Sequence, residues 1–212
     1  MTRYRDVLDD LRRAYDGGAE RRDGASKDPW KLAEREAFLT RLRDAGAVRL
    51  LEVGAGTGQD AVFFRDGGLE VVATDLSSEM VARCRAKGLE AHVMDFLGLD
   101  FPDASFDAVH AMNCLLHVPN ADLPDVLAGI ARVLVPGGLM FLGVYGGEPS
   151  EGPHEGDWHV PPRFFSWRTD DQIQAFAREQ FEIVDFHPVT GDGFRTAEGD
   201  DFHFQSLTLR RP

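Results

Sequence analysis

The stretch "LEVGAGTGQD", residues 51–60, places three glycines in five positions directly behind the apolar run Val48 to Val53. A strand, a glycine turn and the start of a helix are the order these residues predict. Glycine lets the chain turn sharply and lets a ligand approach the backbone, and the free N–H groups of a helix start favour an anion or a carboxylate. The spacing is Gly-x-Gly-x-Gly. A dinucleotide fingerprint would set its third glycine at position 59, which is Gln59 here.

Outward from that turn, short apolar runs alternate with helical patterns. "VRLLEV", "LEVVATD", "LEAHVMD", "FDAVHAM" and "GLMFLGVY" read as strands buried on both faces. Between them, "GQDAVFFRDGG", "LSSEMVARCRAKG" and "NADLPDVLAGIARVLVPGG" have helical spacing. Ser77 is positioned to cap the second helix and Gly88 to stop it; Asn120 or Asp122 caps the third, and Pro136-Gly137-Gly138 closes it. Such alternation implies right-handed βαβ units on a parallel sheet. After a last helix near "RTDDQIQAFAREQ", the runs "FEIVDFHPV" and "FHFQSLTLRR" have no helix between them. They are expected to pair as an antiparallel hairpin at the sheet edge, joined by the turn-rich "TGDGFRTAEGDD".

Two acids sharpen the ligand. Asp75 ends the second strand about 20 residues beyond the first glycine, where a carboxylate can accept both hydroxyls of a ribose. Asp95 ends the third strand in "HVMDF", where it can accept from an exocyclic amine while the Phe96 backbone N–H donates to the ring. At the carboxyl ends of consecutive parallel strands, the pair outlines an adenosine pocket. Each acid is also open to a simpler role as a cap or a solvated strand end.

Composition limits the partners. The 212 residues suit one domain with a sizeable core, and 36 acidic against 23 basic residues give a net charge of −13. That balance disfavours nucleic acid and anionic membranes, which are gripped through basic faces. No apolar run is long enough for a membrane span, and "MTRYRDVLDDLRRAYDGG" lacks the apolar centre of a signal peptide, so a cytoplasmic location is expected. Cys84 and Cys114 are expected to be free thiols.

Taken together, the motifs resemble those of the class I S-adenosylmethionine-dependent methyltransferases. The likeness runs from Val48 to Gly147: "LEVGAGTG", "VVATDLSSEM", "HVMDF", "FDAVHAMNCLLHV" and "VLVPGGLMFLGV" are similar to the family's five motifs, in order. It implies a Rossmann-like α/β fold, a seven-stranded mostly parallel sheet with helices on both faces and an antiparallel C-terminal edge strand. The implied cofactor is S-adenosyl-L-methionine, and the implied reaction is methyl transfer to a small-molecule acceptor, at oxygen or nitrogen. By resemblance, Glu52 and the turn glycines Gly54, Gly56 and Gly58 hold the methionine end, Asp75 the ribose, Leu76 and Met80 the adenine faces, and Asp95 and Phe96 its edge. Asn113 holds the cofactor's amino group through its backbone carbonyl. Tyr15 and Trp30 lie in a segment similar to the lid that many small-molecule methyltransferases fold over the cofactor.

The expected organisation is one domain over 1–212, with residues 1–45 as a helical cap or lid and 146–165 as an active-site loop. The fourth strand ends in "AMNCLLHV", without the Asn/Asp-Pro-Pro-aromatic signature of relatives that methylate base amines or glutamine amides. A proton acceptor is needed only if the nucleophile arrives protonated; His117 is the first candidate, because its pKa lies near operating pH, and a capping role is the alternative. His154 and His159, with Asp157 beside them, fall in the Gly/Pro/His/aromatic loop and are further candidates; their spacing matches no metal-ligand signature, so no metal is expected. Trp158, Phe164 and Phe165 are placed to wall the acceptor pocket, and Tyr145 could supply a hydroxyl or simply be core. Two other functions remain open: a non-catalytic S-adenosylmethionine-binding module, and a nicotinamide-dependent oxidoreductase, against which Gln59 counts.

Overall fold

A computed structural model of the chain describes residues 1–154, 156–191 and 202–212. Two helices open it, α1 (Tyr4–Asp23) and α2 (Pro29–Asp44). The alternating part follows: β1 (Arg49–Val53), α3 (Gln59–Asp66), β2 (Glu70–Asp75), α4 (Ser78–Ala86), β3 (Glu90–Val93) and β4 (Phe106–Met112). A short 3-10 turn, Leu115–His117, leads to α5 (Leu123–Val133) and β5 (Leu134–Gly146). The remainder is β6 (Ser150–Pro153), β7 (Phe164–Trp167), α6 (Asp170–Arg178), β8 (Glu182–Val189) and β9 (His203–Arg210).

Seven strands form one sheet in the order β3-β2-β1-β4-β5-β9-β8. The five from β3 to β5 are parallel, while β9 runs antiparallel to both β5 and β8. The C-terminal hairpin therefore sits at the sheet edge as expected, with β9 inside it and β8 outermost. Of the joining turn, residues 192–201 lie outside the described residues.

Leu50 and Leu51, neighbours on β1, are both fully buried and belong to different core clusters, because successive strand side chains face opposite sides. One face packs Leu51, Val53 and Val109 against α1, α5 and α6; the other packs Leu50, Ala73 and Phe141 against α2, α3 and α4. The strand order reverses direction between β1 and β4, so a crevice opens at their carboxyl ends.

Local expectations differ from the structure in three places. Asp122 stands at the α5 N-cap but does not cap: its carboxylate accepts from the Tyr4 backbone N–H at 2.6 Å and pairs with Arg3, tying α1 down. Asn120 accepts from Arg168 instead, at 2.7 Å. Pro136-Gly137-Gly138 lies within β5, not at the helix end, since α5 stops at Val133 and the strand begins at once. Residues 146–165 are not a plain loop either: β6 and β7 pair as an antiparallel ribbon, Ser150 opposite Trp167 and Pro153 opposite Phe164. Among the described residues no helix is long and apolar enough to cross a membrane.

Candidate active site

The glycine turn does two jobs. Gly54 has φ +65°, and a Cβ there would sit 2.4 Å from Cβ of Cys114, so close packing under β4 excludes any side chain. Gly58 starts α3 at φ +78°; a Cβ there would meet Cys84 Sγ and Leu89 at 2.8 Å, so it serves packing and does not line the cavity. Gly56 is open above, and its N–H donates to Asp75 Oδ2 at 2.8 Å.

Around this turn lies a cavity of two lobes that share Arg22, Gly54, Gly56 and Asn113. The first is walled by Tyr4, Tyr15, Leu76, Phe96 and His117, with Asp75 at its base. Asp75 is buried, and its Oδ1 accepts from the Ser77 N–H at 2.9 Å. Burial pushes its carboxyl up, and the two backbone N–H groups oppose that. Each oxygen keeps a lone pair for a ligand hydroxyl. The Tyr4 ring stacks on Phe96 at 5.7 Å, the residue whose backbone is expected to meet the adenine ring.

Two expected adenine contacts are placed otherwise. Asp95 Oδ1 accepts from Leu97 N at 2.8 Å and Gly98 N at 3.0 Å, so this oxygen closes its own turn, and Asp95 does not line the cavity. Met80 is fully buried in α4 and lines neither lobe.

The second lobe runs along Glu52, Thr57, Gln59 and Asp60 to Lys27 and Lys31. Glu52 is buried; its Oε1 lies 3.3 Å from His110 Nδ1 and its Oε2 has no partner. Burial raises the Glu52 carboxyl, with His110 opposing. Asn113 adopts φ +55°, a left-handed conformation that Asn tolerates better than most residues, and its buried Oδ1 is also unpartnered. Asp60 accepts from Lys27 at 2.6 Å and Arg35 at 3.0 Å. Glu52, Asp60 and His110 cluster closely enough to hold an ion, yet the two cations on Asp60 already supply the positive charge.

Where α1 meets the ribbon, a polar chain closes the first lobe. His117 is buried, and its Nδ1 donates to the Phe164 carbonyl at 2.6 Å. Its Nε2 is then the acceptor, and the Tyr15 hydroxyl donates to it at 2.5 Å. Arg163 Nη1 donates to that hydroxyl at 3.1 Å, and Asp157 accepts from Arg163 Nε at 2.8 Å and from His159 Nδ1 at 2.8 Å. Burial lowers His117 to about 3, so the ring is neutral at ordinary pH. For Asp157, burial alone would raise the pKa, but the hydrogen bonds from Arg163 and His159 hold it well below the usual carboxylate range.

The expectation that the 146–165 segment presents a histidine to the acceptor is not met. The buried Nε2 of His159 lies 3.3 Å from the position of a Cβ on Gly18 of α1, and the ring does not line the cavity. His154 is exposed and packs on Phe165 and Trp167. Trp158, half exposed, stacks on His159 at 3.6 Å and carries the Arg21 guanidinium at 4.2 Å instead of walling a pocket. Phe164 is buried beneath His117, and Phe165 packs on its ring at 4.8 Å. Trp30 and Tyr145 pack edge to face at 6.2 Å beyond Lys31. Tyr4, Arg22, Asp60 and Arg163 escape sequence reasoning; only the basic run Arg21-Arg22 in an acidic chain hinted at one of them.

A Rossmann-like sheet whose crevice joins a glycine turn, an acid at the end of the second strand and an aromatic-walled lobe defines a class I methyltransferase. The profile of the methyltransferase domain family matches residues 50–138. Phosphatidylethanolamine N-methyltransferase of Cereibacter sphaeroides is 33% identical over 160 residues, covering 70% of this chain and 77% of that protein. The 27-O-demethylrifamycin SV methyltransferase of Amycolatopsis mediterranei is 35% identical over 136 residues, 60% of this chain and 48% of that one. The chain thus spans about half the length of some curated relatives it matches. Among solved structures, the 1,6-didemethyltoxoflavin-N1-methyltransferase of Burkholderia thailandensis, with bound 1,6-didemethyltoxoflavin and S-adenosylhomocysteine, shares the fold: TM-score 0.74, 21% identity, 100% of this chain and 91% of that one. The chain belongs to the methyltransferase domain family, the class I S-adenosylmethionine-dependent methyltransferases.

The residues present fit the family's cofactor. Asp75 is a buried acceptor set for a diol, Leu76 and Phe96 are flat apolar walls, and the unpartnered oxygens of Glu52 and Asn113 are acceptors suited to a cationic group.

Proposed function

We propose that this chain, as a single domain over 1–212, transfers a methyl group from S-adenosylmethionine to an oxygen or nitrogen of a small-molecule acceptor. The observation that carries the reading is Asp75: a buried carboxylate at the end of β2, held by Gly56 and Ser77, at a lobe walled by Tyr4, Leu76 and Phe96. When bound, the cofactor supplies an electrophilic methyl on a sulfonium, so positioning carries much of the rate. In this reading α1 and α2, within 1–45, act as the lid, and Leu76, Phe96 and Tyr4 hold the nucleoside. Glu52, Gly54 and Asn113 hold the amino-acid arm.

His117 and Tyr15 are the groups placed to handle a proton. With Nδ1 committed to the Phe164 carbonyl, His117 Nε2 pulls on the Tyr15 hydroxyl proton, and both residues line the lobe. An acceptor proton passes to Tyr15 Oη as the Tyr15 proton shifts to His117 Nε2. Arg163 disfavours charge on His117 in the resting site, so the proton moves as the methyl transfers, when the acceptor atom takes up the positive charge and its proton becomes acidic enough for so weak a base. This buried network supports an enzyme over a binding module, because a module would need no proton-handling group there.

The test is calorimetry with S-adenosylmethionine and S-adenosylhomocysteine. Asp75→Ala is expected to weaken both by about 1.5 to 3 kcal/mol, the range for hydrogen bonds to a charged group. NAD should give no saturable heat. Unchanged affinity in the variant would remove the ribose assignment, and tight NAD binding would restore the oxidoreductase alternative.

A further inference from the structure

A strip of five aromatic rings runs from one lobe of the cavity to the other. Trp30 of α2, Tyr145 of β5, Phe202 just before β9, and Trp167 and Phe165 of β7 are each only partly buried. Tyr145 and Phe202 lie nearly parallel, 5.6 Å apart at 8°. Trp167 meets Phe202 edge-on at 5.2 Å, and Phe165 follows at 5.6 Å from Trp167. At one end the Phe165 ring is 4.8 Å from that of His117, which lines the first lobe. At the other, Lys31, which lines the second lobe, lies 5.0 Å from the centre of the Trp30 ring and 5.8 Å from that of Tyr145.

The exposure is built in by the strand pattern. Along β7 the side chains alternate, so Phe164 and Ser166 are buried while Phe165 and Trp167 share the opposite, more open face. Their cross-strand neighbours on β6 are Gly152 and Ser150, too small to cover a ring. His154, itself exposed, meets both rings only edge-on. The strip also stands where an acceptor has to come in. Asn113, shared by both lobes, donates its backbone N–H to the Gly143 carbonyl at 2.7 Å, and Tyr145 follows two residues later at the end of β5. Aromatic faces set in a row bind a flat ring by stacking. The cations bordering them are matched, Lys31 to Asp28 at 2.7 Å and Arg163 to Asp157 at 2.8 Å, so neither is left to select a phosphate or a carboxylate.

We propose that the strip seats a planar, uncharged aromatic acceptor, a phenol or an aryl amine, and so sets the substrate class. The inference rests on the S-adenosylmethionine reading above and deepens it. A ring stacked along β7 brings a substituent to the His117 end of the strip, beside Tyr15. There the acceptor's oxygen or nitrogen gains the methyl as the methyl–sulfur bond breaks, and its proton leaves to Tyr15 Oη. A saturated ring of the same size buries similar apolar area but presents no flat π face, so the strip discriminates by shape as well as by hydrophobicity.

Calorimetry on the protein loaded with S-adenosylhomocysteine, using 2-naphthol and its saturated analogue decahydro-2-naphthol, tests the seat. The planar probe should bind about 10-fold more tightly, the effect of one or two aromatic pairs. Trp167→Leu and Phe165→Leu, which keep apolar bulk, should each weaken 2-naphthol about 2- to 10-fold and leave S-adenosylhomocysteine within about twofold. With S-adenosylmethionine in its place, mass spectrometry should find 2-methoxynaphthalene. Equal affinity for the two probes, no response to either variant, tighter binding of the anionic 3-hydroxy-2-naphthoate, or binding without methylation would each overturn the proposal. So would S-adenosylhomocysteine affinity lost in step in both variants, since the strip would then shape the cofactor site. If wild type bound no S-adenosylhomocysteine, the cofactor reading itself would fall; if it bound that ligand and not 2-naphthol, this inference alone would.

Discussion

The two walls of the cavity are built from different materials. At the ends of β1, β2 and β4 the wall is mostly backbone: Gly54 and Gly56 at positive φ, the Gly56 N–H on Asp75, and Asn113 in a left-handed conformation. Across from it, Tyr15 of α1 and His117 face the cavity, and behind them a chain of side chains runs from Tyr15 through Arg163 to Asp157, outside the lining. Gly56 and Asp75 are 19 residues apart, whereas Tyr15 lies 102 from His117 and 148 from Arg163. A backbone wall is set by local turn chemistry and holds a constant ligand. A side-chain wall is assembled only by tertiary packing, so it can be rebuilt for a new acceptor while the first stays unchanged.

If that division is right, damage to the second wall should spare the cofactor. His117→Ala is expected to lower methyl transfer by 10²-fold or more, the range for lost acid–base help, with S-adenosylhomocysteine affinity within about threefold of the parent. Tyr15→Phe, which keeps the ring against the lobe but removes the hydroxyl, should fall between the two in rate. Affinity lost in step with rate would erase the distinction between the walls. A fully active His117→Ala would remove the proton role.

The next largest effect is on stability against pH. His117 is held neutral by burial, with its pKa lowered to about 3 from an ordinary 6.5. A group whose folded pKa is depressed binds fewer protons folded than unfolded across that window. Stability is therefore lost as pH falls below about 6.5, at up to about 1.4 kcal/mol per pH unit for one histidine. Buried His159, lowered by burial as well, acts in the same direction. Asp157 does not contribute between pH 7 and 5, because its pKa is lowered from 3.8 and it is ionised in both states there. Thermal melts at pH 7, 6 and 5 should show a steep decline in wild type and a flatter one in His117→Gln, whose amide can serve both the Phe164 carbonyl and the Tyr15 hydroxyl. Parallel slopes would mean that His117 titrates normally and is not sealed in.

The same contrast explains what could be read before the structure. The strands, their parallel order, the Ser77 cap and the acid at Asp75 all follow from local pattern, and the structure has them. Gly58 was legible as a turn glycine, but its demand, the approach of Cys84 and Leu89, comes from tertiary packing. Asp95 reads from its position as a ligand acid, but an aspartate at a strand end can equally take the backbone N–H groups two and three residues on, as it does here. Three histidines stood near the site in sequence, and only His117 lines the cavity. Nothing local distinguishes it from His159, whose Asp157 partner suggests chemistry while its buried Nε2 faces α1. Tyr4 was invisible as a site residue, since its seat on Phe96 depends on the first turn of α1 being tied to Asp122.

The smallest effect tests how the side-chain wall is clasped. Arg21, on α1, lies 4.2 Å over the Trp158 ring, and Trp158 in turn stacks on His159 at 3.6 Å. Trp158 is 51% exposed, so the cation–π contact is largely solvated and contributes about 0.5 to 1 kcal/mol. Because it joins α1 to the loop before β7 and touches neither lobe, its loss should loosen α1 without altering any ligand contact. Trp158→Ala is then expected to raise the dissociation rate of S-adenosylhomocysteine about two- to fivefold, with the rate of methyl transfer at saturation nearly unchanged. Stopped-flow release measured on wild type and variant decides it. A large drop in the saturated rate would instead show that Trp158 positions the acceptor through His159, and that the ribbon reaches further into the chemistry than its contacts indicate.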